Sequence, residues 1–391
     1  MKNISDITGR LQVYLEANDY AGYDPYDAFN SPLVKALSSH SKWVGIAWTQ
    51  FFRRCPVNLR SLFGVKKGHN PKGIGLFLWG YAKLYRIEPN ERTLDKIQYL
   101  LGLLESLKTH GYSGNCWGYN FDWQSRDGFC PKGSPTIVNS SFVGHALLDC
   151  YEYTGLEQAL NMACSIKDFI LRDLNRPKLG EHFCFSYSPT DTDVIHNANM
   201  LGASILIRLL KYTGDSACEE AALSSLAFSM SRQRDDGSWA YGEAKTQQWV
   251  DSFHTGFNLQ ALKAILDEGF AAEFREGFER GTTYYVENFF LADGTPKYFR
   301  DRVYPLDIHA PAEAIAFLAT LGERYRARTQ IILDWMVSNM LSPEGYFYYR
   351  KTKYGTNRIP YMRWSQAWAF HALTQFMMAF QVEGSLATVD A

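Results

Sequence analysis

A two-helix motif that returns along most of the chain is the feature that most restricts its fold. The segment CYEYTGLEQA around Gly155 comes back as LKYTGDSACEEA around Gly214. Weaker copies follow, AILDEGFAAEF around Gly269 and FLATLGERYRA around Gly322, while an earlier one, AKLYRIEPNERT, lacks the glycine. The glycines lie 59, 55 and 53 residues apart. Each stands between two apolar helical runs, where a residue that tolerates a left-handed backbone ends one helix and releases the next.

The full unit has a constant order. An amphipathic run comes first, as in 156–174, 221–232 and 327–340, with apolar residues at helical spacing. An aromatic, glycine-rich connection follows: NCWGYNFDWQ, HFCFSYSPTD, DDGSWAYGEA, ADGTPKYFRD or PEGYFYYRKT. A short polar sequence then leads into a second, more apolar helix; these read VNSSFVG, IHNANMLG, DSFHTGFN, DIHAPAEA and MRWSQAWA. The first unit is the least regular, with helices expected near 32–52 and 73–85. One such hairpin cannot bury its own apolar face, so the units must stack. The expected fold is all-α: an (α/α)6 toroid, a barrel of six helical hairpins, with long aromatic-rich loops at one rim. An open right-handed solenoid is the alternative. The toroid is expected over 30–380, preceded by a turn-rich segment 1–29 that either covers the rim or packs on the last hairpin. Residues 381–391 read as a frayed tail.

Charge and cysteine content narrow the function classes. Lys plus Arg is 40 and Asp plus Glu 41, a balance that offers no broad basic field to a nucleic acid. No apolar run is long enough to span a membrane, and the N-terminus lacks the apolar stretch of a signal peptide. Seven cysteines without a Cys-x-x-Cys pair, in a chain too large to need disulfides, predict free thiols and a cytoplasmic location. Aromatic residues make up 15% of the chain and are frequent in the connections, where they suit the apolar face of a sugar ring. The basic run VKKGHNPKG, 65–73, reads as a solvated loop.

The run DDGSWAYGE followed by DSFHTGFNLQAL resembles a repeat of the terpenoid-cyclase and protein-prenyltransferase toroids. The six-fold order with polar inner-helix starts is equally similar to the six-hairpin sugar enzymes: glycosidases, N-acylglucosamine 2-epimerase relatives and toroidal polysaccharide lyases. The likeness lies in architecture and spans about 30–380. In the 2-epimerase relatives a pair of rim histidines moves a proton at a sugar carbon, and DIHAPAEAIAFL, with His309 and Glu313, is similar to their His-x-x-x-Glu helix start. Toroidal lyases combine Asn, His, Tyr and Arg to neutralise a uronate carboxylate and remove its alpha proton, a set that IHNAN with Tyr241 resembles. The isoprenoid likeness is incomplete. Asp191-Thr192-Asp193-Val194 carries two of the three acids of an Asp-x-Asp-Asp proton donor, and Asp-Asp-x-x-Asp is absent. His254 stands where a prenyltransferase zinc histidine would, without the companion Asp-x-Cys, and a single ligand is no zinc site.

Aligning the units brings candidate residues to one rim. His196, His254 and His309, in three successive units, are the expected acid/base groups, since imidazole titrates near neutrality. Tyr241, Asp122, Asp251 and Asp307 are further catalytic candidates, the carboxylates because glycoside hydrolysis needs an acid and a base or nucleophile. Asn139, Asn197, Asn199, Arg363 and Gln366 are expected to orient hydroxyl or carboxylate groups, and Trp117, Tyr119, Trp123, Trp239 and Trp364 to stack the ring. Each has a structural counter-reading: Asn139, Asp251 and Asp307 fit helix N-caps, and the aromatics can plug hairpin ends. Neither metal nor cofactor is expected. The partner is a small-molecule or oligosaccharide substrate, and no feature encodes an oligomeric state. The resulting expectation is a cytoplasmic carbohydrate-active enzyme of polysaccharide biosynthesis or modification, working by proton transfer as an epimerase, isomerase or lyase. A glycoside hydrolase, a terpenoid-cyclase-like protein and a non-catalytic glycan-binding toroid are the alternatives.

Overall fold

A computed structural model describes residues 4–38, 41–124 and 128–386. In chain order its helices are α1 (Ile4–Ala17), α2 (Pro32–Ser38), α3 (Lys42–Arg54), α4 (Pro71–Ile87), α5 (Glu91–Ser106), α6 (Ile137–Thr154), α7 (Glu157–Cys164) and α8 (Ile166–Asp168). There follow α9 (His196–Thr213), α10 (Ser216–Met230), α11 (Ser252–Asp267), α12 (Arg275–Phe289), α13 (His309–Ala319), α14 (Glu323–Met340) and α15 (Trp368–Leu386). Helices α4, α6, α9, α11, α13 and α15 each pack on the next, and α15 returns to α4, so the inner wall is a closed ring. The fold is the expected (α/α)6 toroid, and closure excludes the open solenoid.

Sequence explains which helices go inside. All eleven residues of α13, HAPAEAIAFLA, are buried, and a helix that is apolar on every side has no other stable place. The outer helices are α5, α7–α8, α10, α12 and α14, amphipathic runs that cover the inner wall. Inner and outer helices meet at the predicted glycines: Gly155 and Gly214 close α6 and α9 at φ 72° and 60°, where any side chain would be strained. All seven cysteines are free: Cys150 lies in inner α6, Cys164 and Cys218 in outer α7 and α10, and the other four in the connecting segments.

The first hairpin differs from expectation. The outer partner of α15 is α1, from the segment expected either to cover the rim or to pack on the last hairpin, and not the run 32–52. Leu11 and Leu15 are fully buried, and the Thr8 hydroxyl lies 3.4 Å from Met377 Sδ of α15. The chain thus starts in the sixth hairpin, and the N-terminal helix completes the ring. What covers the rim is the stretch from 18 to 70, which carries α2, α3 and a short turn at Asp27–Asn30 around a small core of its own, Ala28, Val34 and Phe52. The expected tail is helical to Leu386, and 387–391 lie outside the described residues.

Long connections run from each outer helix to the next inner one and gather at one rim, held by a repeated bond. At five inner-helix starts, the first helical residue or one in the turn leading into the helix donates its N–H to a tyrosine carbonyl in another connection. The pairs are Ile137 to Tyr187 at 3.0 Å, His196 to Tyr241 at 3.1 Å, Ser252 to Tyr298 at 3.0 Å, Ile308 to Tyr349 at 3.1 Å and Met362 to Tyr23 at 3.1 Å. These amides would otherwise be orphaned at a helix start. In the remaining unit the position falls to Pro71, which has no N–H to place. Short strands brace the same loops, the largest set being Leu306–Asp307, Arg350–Thr352 and Gly355–Asn357.

If α1 belongs to the ring, Leu11→Ala should lower unfolding free energy by about 2–5 kcal/mol in urea titrations. A loss below about 0.5 kcal/mol, as expected for an exposed appendage, would contradict that placement.

Candidate active site

The three histidines stand at different distances from the residue that donates its N–H to a tyrosine carbonyl, the latch residue of each unit, and so do not share a position. His196 is the latch residue itself, His309 follows its latch residue by one and His254 by two, and each step turns a side chain by about 100° around the helix. His196 points away from the axis. Its Nδ1 lies 3.2 Å from Ser229 Oγ of outer α10 and its Nε2 3.0 Å from Glu243 Oε1 of the connection that follows, so both nitrogens are engaged. It is a structural clamp, contrary to the expectation of a matched trio.

The position after the latch residue faces the axis, and there the six units present Lys72, Val138, Asn197, Phe253, His309 and Arg363. Lys72 is buried with its Nζ 4.0 Å from the Phe142 ring centre, 5.0 Å from Phe257 and 5.4 Å from Trp368. His309 is enclosed by Phe253, Trp364 and Trp368, with ring centres 4.5–4.7 Å away, and neither of its nitrogens has a partner among the described residues. Arg363 forms a bidentate pair with Asp24 of the covering segment, Nε–Oδ2 2.6 Å and Nη2–Oδ1 2.8 Å. Gly73 lets the start of α4 come against Arg363; an added Cβ there would sit 3.3 Å from that of Arg363. Three basic groups therefore converge in a desolvated space. Burial is the main cause that holds Lys72 and His309 well below their ordinary pKa values, and the mutual repulsion of Lys72, Arg363 and His254 adds to it. His309 is neutral at pH 7.

Beside this centre lies a cleft bounded by Asn197, Trp239, Tyr241, Asp251, His254, Thr255 and Asn258. Asp251 caps α11 by accepting the His254 N–H at 3.0 Å, and its other oxygen accepts from Trp249 Nε1 at 3.0 Å and holds His254 Nδ1 at 2.7 Å. A carboxylate on Nδ1 fixes the ring and leaves Nε2 as the nitrogen able to exchange a proton. Tyr241 stacks on Trp249 and lies 4.6 Å from the His254 ring, and burial pushes its phenol far above the usual range. Among the described residues, the side-chain oxygens of Asn197 and Asn258 and both polar atoms of buried Asn139 have no partner, and Thr136, not Asn139, caps α6. These orphaned groups are what a hydroxyl-rich ligand would satisfy.

Other candidates are occupied elsewhere. Asp307 accepts from His309 N–H, Trp364 Nε1 (2.8 Å) and the Arg350 guanidinium (2.8 Å). Asp122 is held by Lys35 at 2.7 Å and the Lys132 amide at 2.6 Å. Asn199 clamps the Phe185 amide to Ser225 and Ser229, and Gln366 clamps both backbone groups of Phe347. Trp117 and Trp239 each donate to a carbonyl at the end of an outer helix, Leu104 and Ser229, so the plug reading prevails for Trp117, and Trp239 combines it with lining the cleft. Trp123 lies in a two-residue strand beside α3. Tyr119 remains at the centre, its ring under Arg363 and its hydroxyl 3.2 Å from that of Tyr187. Glu313 points to Tyr285 of α12 against Gly256, away from His309.

Two groups were missed. Lys72 falls in the run expected to be a solvated loop, yet Asn70-Pro71 is a helix start, with Asn70 Oδ1 accepting from the Lys72 amide at 3.1 Å, and that signal places Lys72 in the first turn of an inner helix. Asp24 had no sequence signal. The space beside it, between Asn70, Gly73 and Arg363, holds about 10 Å³ of room, one water at most, and the cleft at His254 holds none. The rim is closed over its polar centre.

No family model matches the sequence, and no curated protein does. Solved structures do share the fold. A cellobiose 2-epimerase from Bacillus thermoamylovorans superposes with a TM-score of 0.63 at 13% identity, over 81% of this chain and 90% of that one. A polysaccharide lyase covers 98% of both chains with a TM-score of 0.59 and 10% identity. An unsaturated glucuronyl hydrolase specific for heparin covers 82% of this chain and 89% of its own, with a TM-score of 0.56 and 14% identity.

A neutral, buried His309 ties stability to pH. Its folded pKa lies below the unfolded value of about 6.5, so its contribution is complete above that pH and is lost as pH falls, when only the unfolded chain takes the proton. Chemical denaturation from pH 7 to 5 should show a shallower loss in His309→Gln than in the parent, by up to about 1.4 kcal/mol per pH unit. Parallel curves would mean that His309 is charged in the folded protein.

Proposed function

We propose that the protein is a carbohydrate-processing enzyme that moves a proton at a sugar carbon, and that its substrate carries a carboxylate. The observation that carries the reading is the convergence of Lys72, His309 and Arg363 on a dry centre where the carboxylate facing Arg363 is Asp24, contributed by the covering segment. A guanidinium takes a carboxylate in a planar, two-bonded fork, and Asp24 holds the place that a uronate would take. Neutralising that group acidifies the adjacent C–H. His254, oriented by Asp251, and Lys72, whose proton is loosely held, are the acid and base. One removes the proton; the other returns it to the opposite face in epimerisation, or protonates the leaving oxygen in elimination. Tyr119, Trp364 and the cleft residues Asn197, Tyr241 and Asn258 would meet the ring and its hydroxyls.

Paired-carboxylate hydrolysis has less support, because Asp122, Asp251 and Asp307 are each committed to caps or cations. The isoprenoid alternative has less support, since Asp191 of its incomplete acid motif serves a local turn, accepting from the Tyr187 amide at 3.1 Å. Seven free thiols support the cytoplasm as the working compartment, and a role in making or modifying polysaccharide fits that place.

Incubating the protein with acidic and neutral oligosaccharides in deuterated water tests the proposal. Deuterium should enter next to the carboxylate, or an unsaturated product should form, and His254→Ala and Lys72→Met should each slow this by about 10²–10⁴-fold. Hydrolysis of neutral sugars with His254 dispensable would contradict it, and affinity without turnover would leave a glycan-binding toroid.

A further inference from the structure

The segment that closes the rim has an outer face unlike the rest of the surface. From 28 to 87 the sequence has ten basic residues and no acidic one, in a chain whose net charge is -1. Lys35, Lys42, Arg54, Lys66 and Lys67 are exposed. So are large apolar side chains of the same segment: Leu33, Leu37, Trp43, Phe51, Val57 and Leu62, the last at 79%. Helix α3 turns only Gly45, Thr49 and Phe52 inward. Trp43, Ala47, Phe51 and Arg54, spaced by four and three residues, form its outward stripe. Next to it, Asn357 donates to the Cys55 carbonyl at 3.0 Å and brings in the hairpin tip at Tyr354, which is 98% exposed between Lys353 and nearby Arg358.

Exposed Trp, Phe and Leu among Lys and Arg, in a stretch with no acid of its own and with Lys35 drawn to Asp122, is the pattern of a helix lying in a lipid headgroup layer. We infer that this face docks on an anionic membrane surface, the apolar stripe entering the headgroup boundary and the cations meeting lipid phosphates. A second copy of the chain is a poorer occupant, because a two-fold contact would set each cation cluster against its own image. The inference is independent of the reaction proposed above. It adds that the closed rim would face the bilayer, so a glycan held at the membrane would meet the mouth of the ring directly.

Co-sedimentation of the full chain tests it with vesicles of phosphatidylcholine alone and of phosphatidylcholine with about one-third phosphatidylglycerol. Binding to the anionic vesicles should be at least about tenfold tighter and should weaken as salt rises. Trp43→Ser/Phe51→Ser and Lys42→Glu/Arg54→Glu should each reduce it about tenfold or more, while Ile331→Ser, an exposed apolar residue on α14, should not. Circular dichroism melts establish that the variants are folded. Equal binding to both vesicles, binding to neither, or a concentration-dependent dimer that Trp43→Ser/Phe51→Ser abolishes would overturn the inference.

Discussion

Five backbone bonds from the starts of inner helices to tyrosine carbonyls set the geometry of everything at the rim. Each satisfies an amide that a helix start leaves unpaired, and each ties one unit to the connection of the next. Because the bond fixes the first residue, it also fixes the direction of those that follow. The residue one step on always looks down the axis, and that register, more than residue type, decides which side chains can meet a ligand. The two clamps formed by Asn199 and Gln366 work in the same direction, holding loop backbone to inner helix from side-chain amides.

Much of this architecture was legible. Helix-stopping glycines, apolar inner runs and aromatic connections recur because every hairpin solves the same packing problem, so the toroid and the gathering of its long connections at one rim follow from the repeat. The ring's closure was not legible in the same way. Helix α1 carries no glycine signal and belongs to a hairpin whose two helices stand at opposite ends of the chain, a pairing that only the packing of Leu11 and Leu15 reveals. At the candidate site the register of the inner helices differs from the expectation. Treating His196, His254 and His309 as equivalent assumed that each inner helix begins at the same distance from its histidine, and a shift of one residue turned His196 outward to Ser229 and Glu243. Carboxylates were over-read for a related reason: Asp251 and Asp307 stand at helix starts, where an acid first serves the backbone.

The centre that emerges is electrostatically incomplete without the covering segment. Lys72 and Arg363 are buried among aromatic faces, a costly place for two cations, and the carboxylate of Asp24 offsets part of that cost. The segment is itself anchored by a second buried pair, Arg60 with Asp27 at 2.6 Å, and by Arg60 Nη2 on the Asp24 carbonyl at 2.9 Å. Charge inside and charge outside are thus arranged on one piece of chain. Its inner side supplies an acid to a basic site, and its outer side is basic and apolar together.

The account turns on the carboxylate that faces Arg363. Crystals grown with an acidic oligosaccharide would test it most directly. The account predicts electron density for a sugar carboxylate in a two-bonded contact with Arg363, near Lys72 and His309, with Asp24 moved out of the place it holds in the closed protein. A sugar bound elsewhere while the Asp24–Arg363 pair stays intact would contradict it.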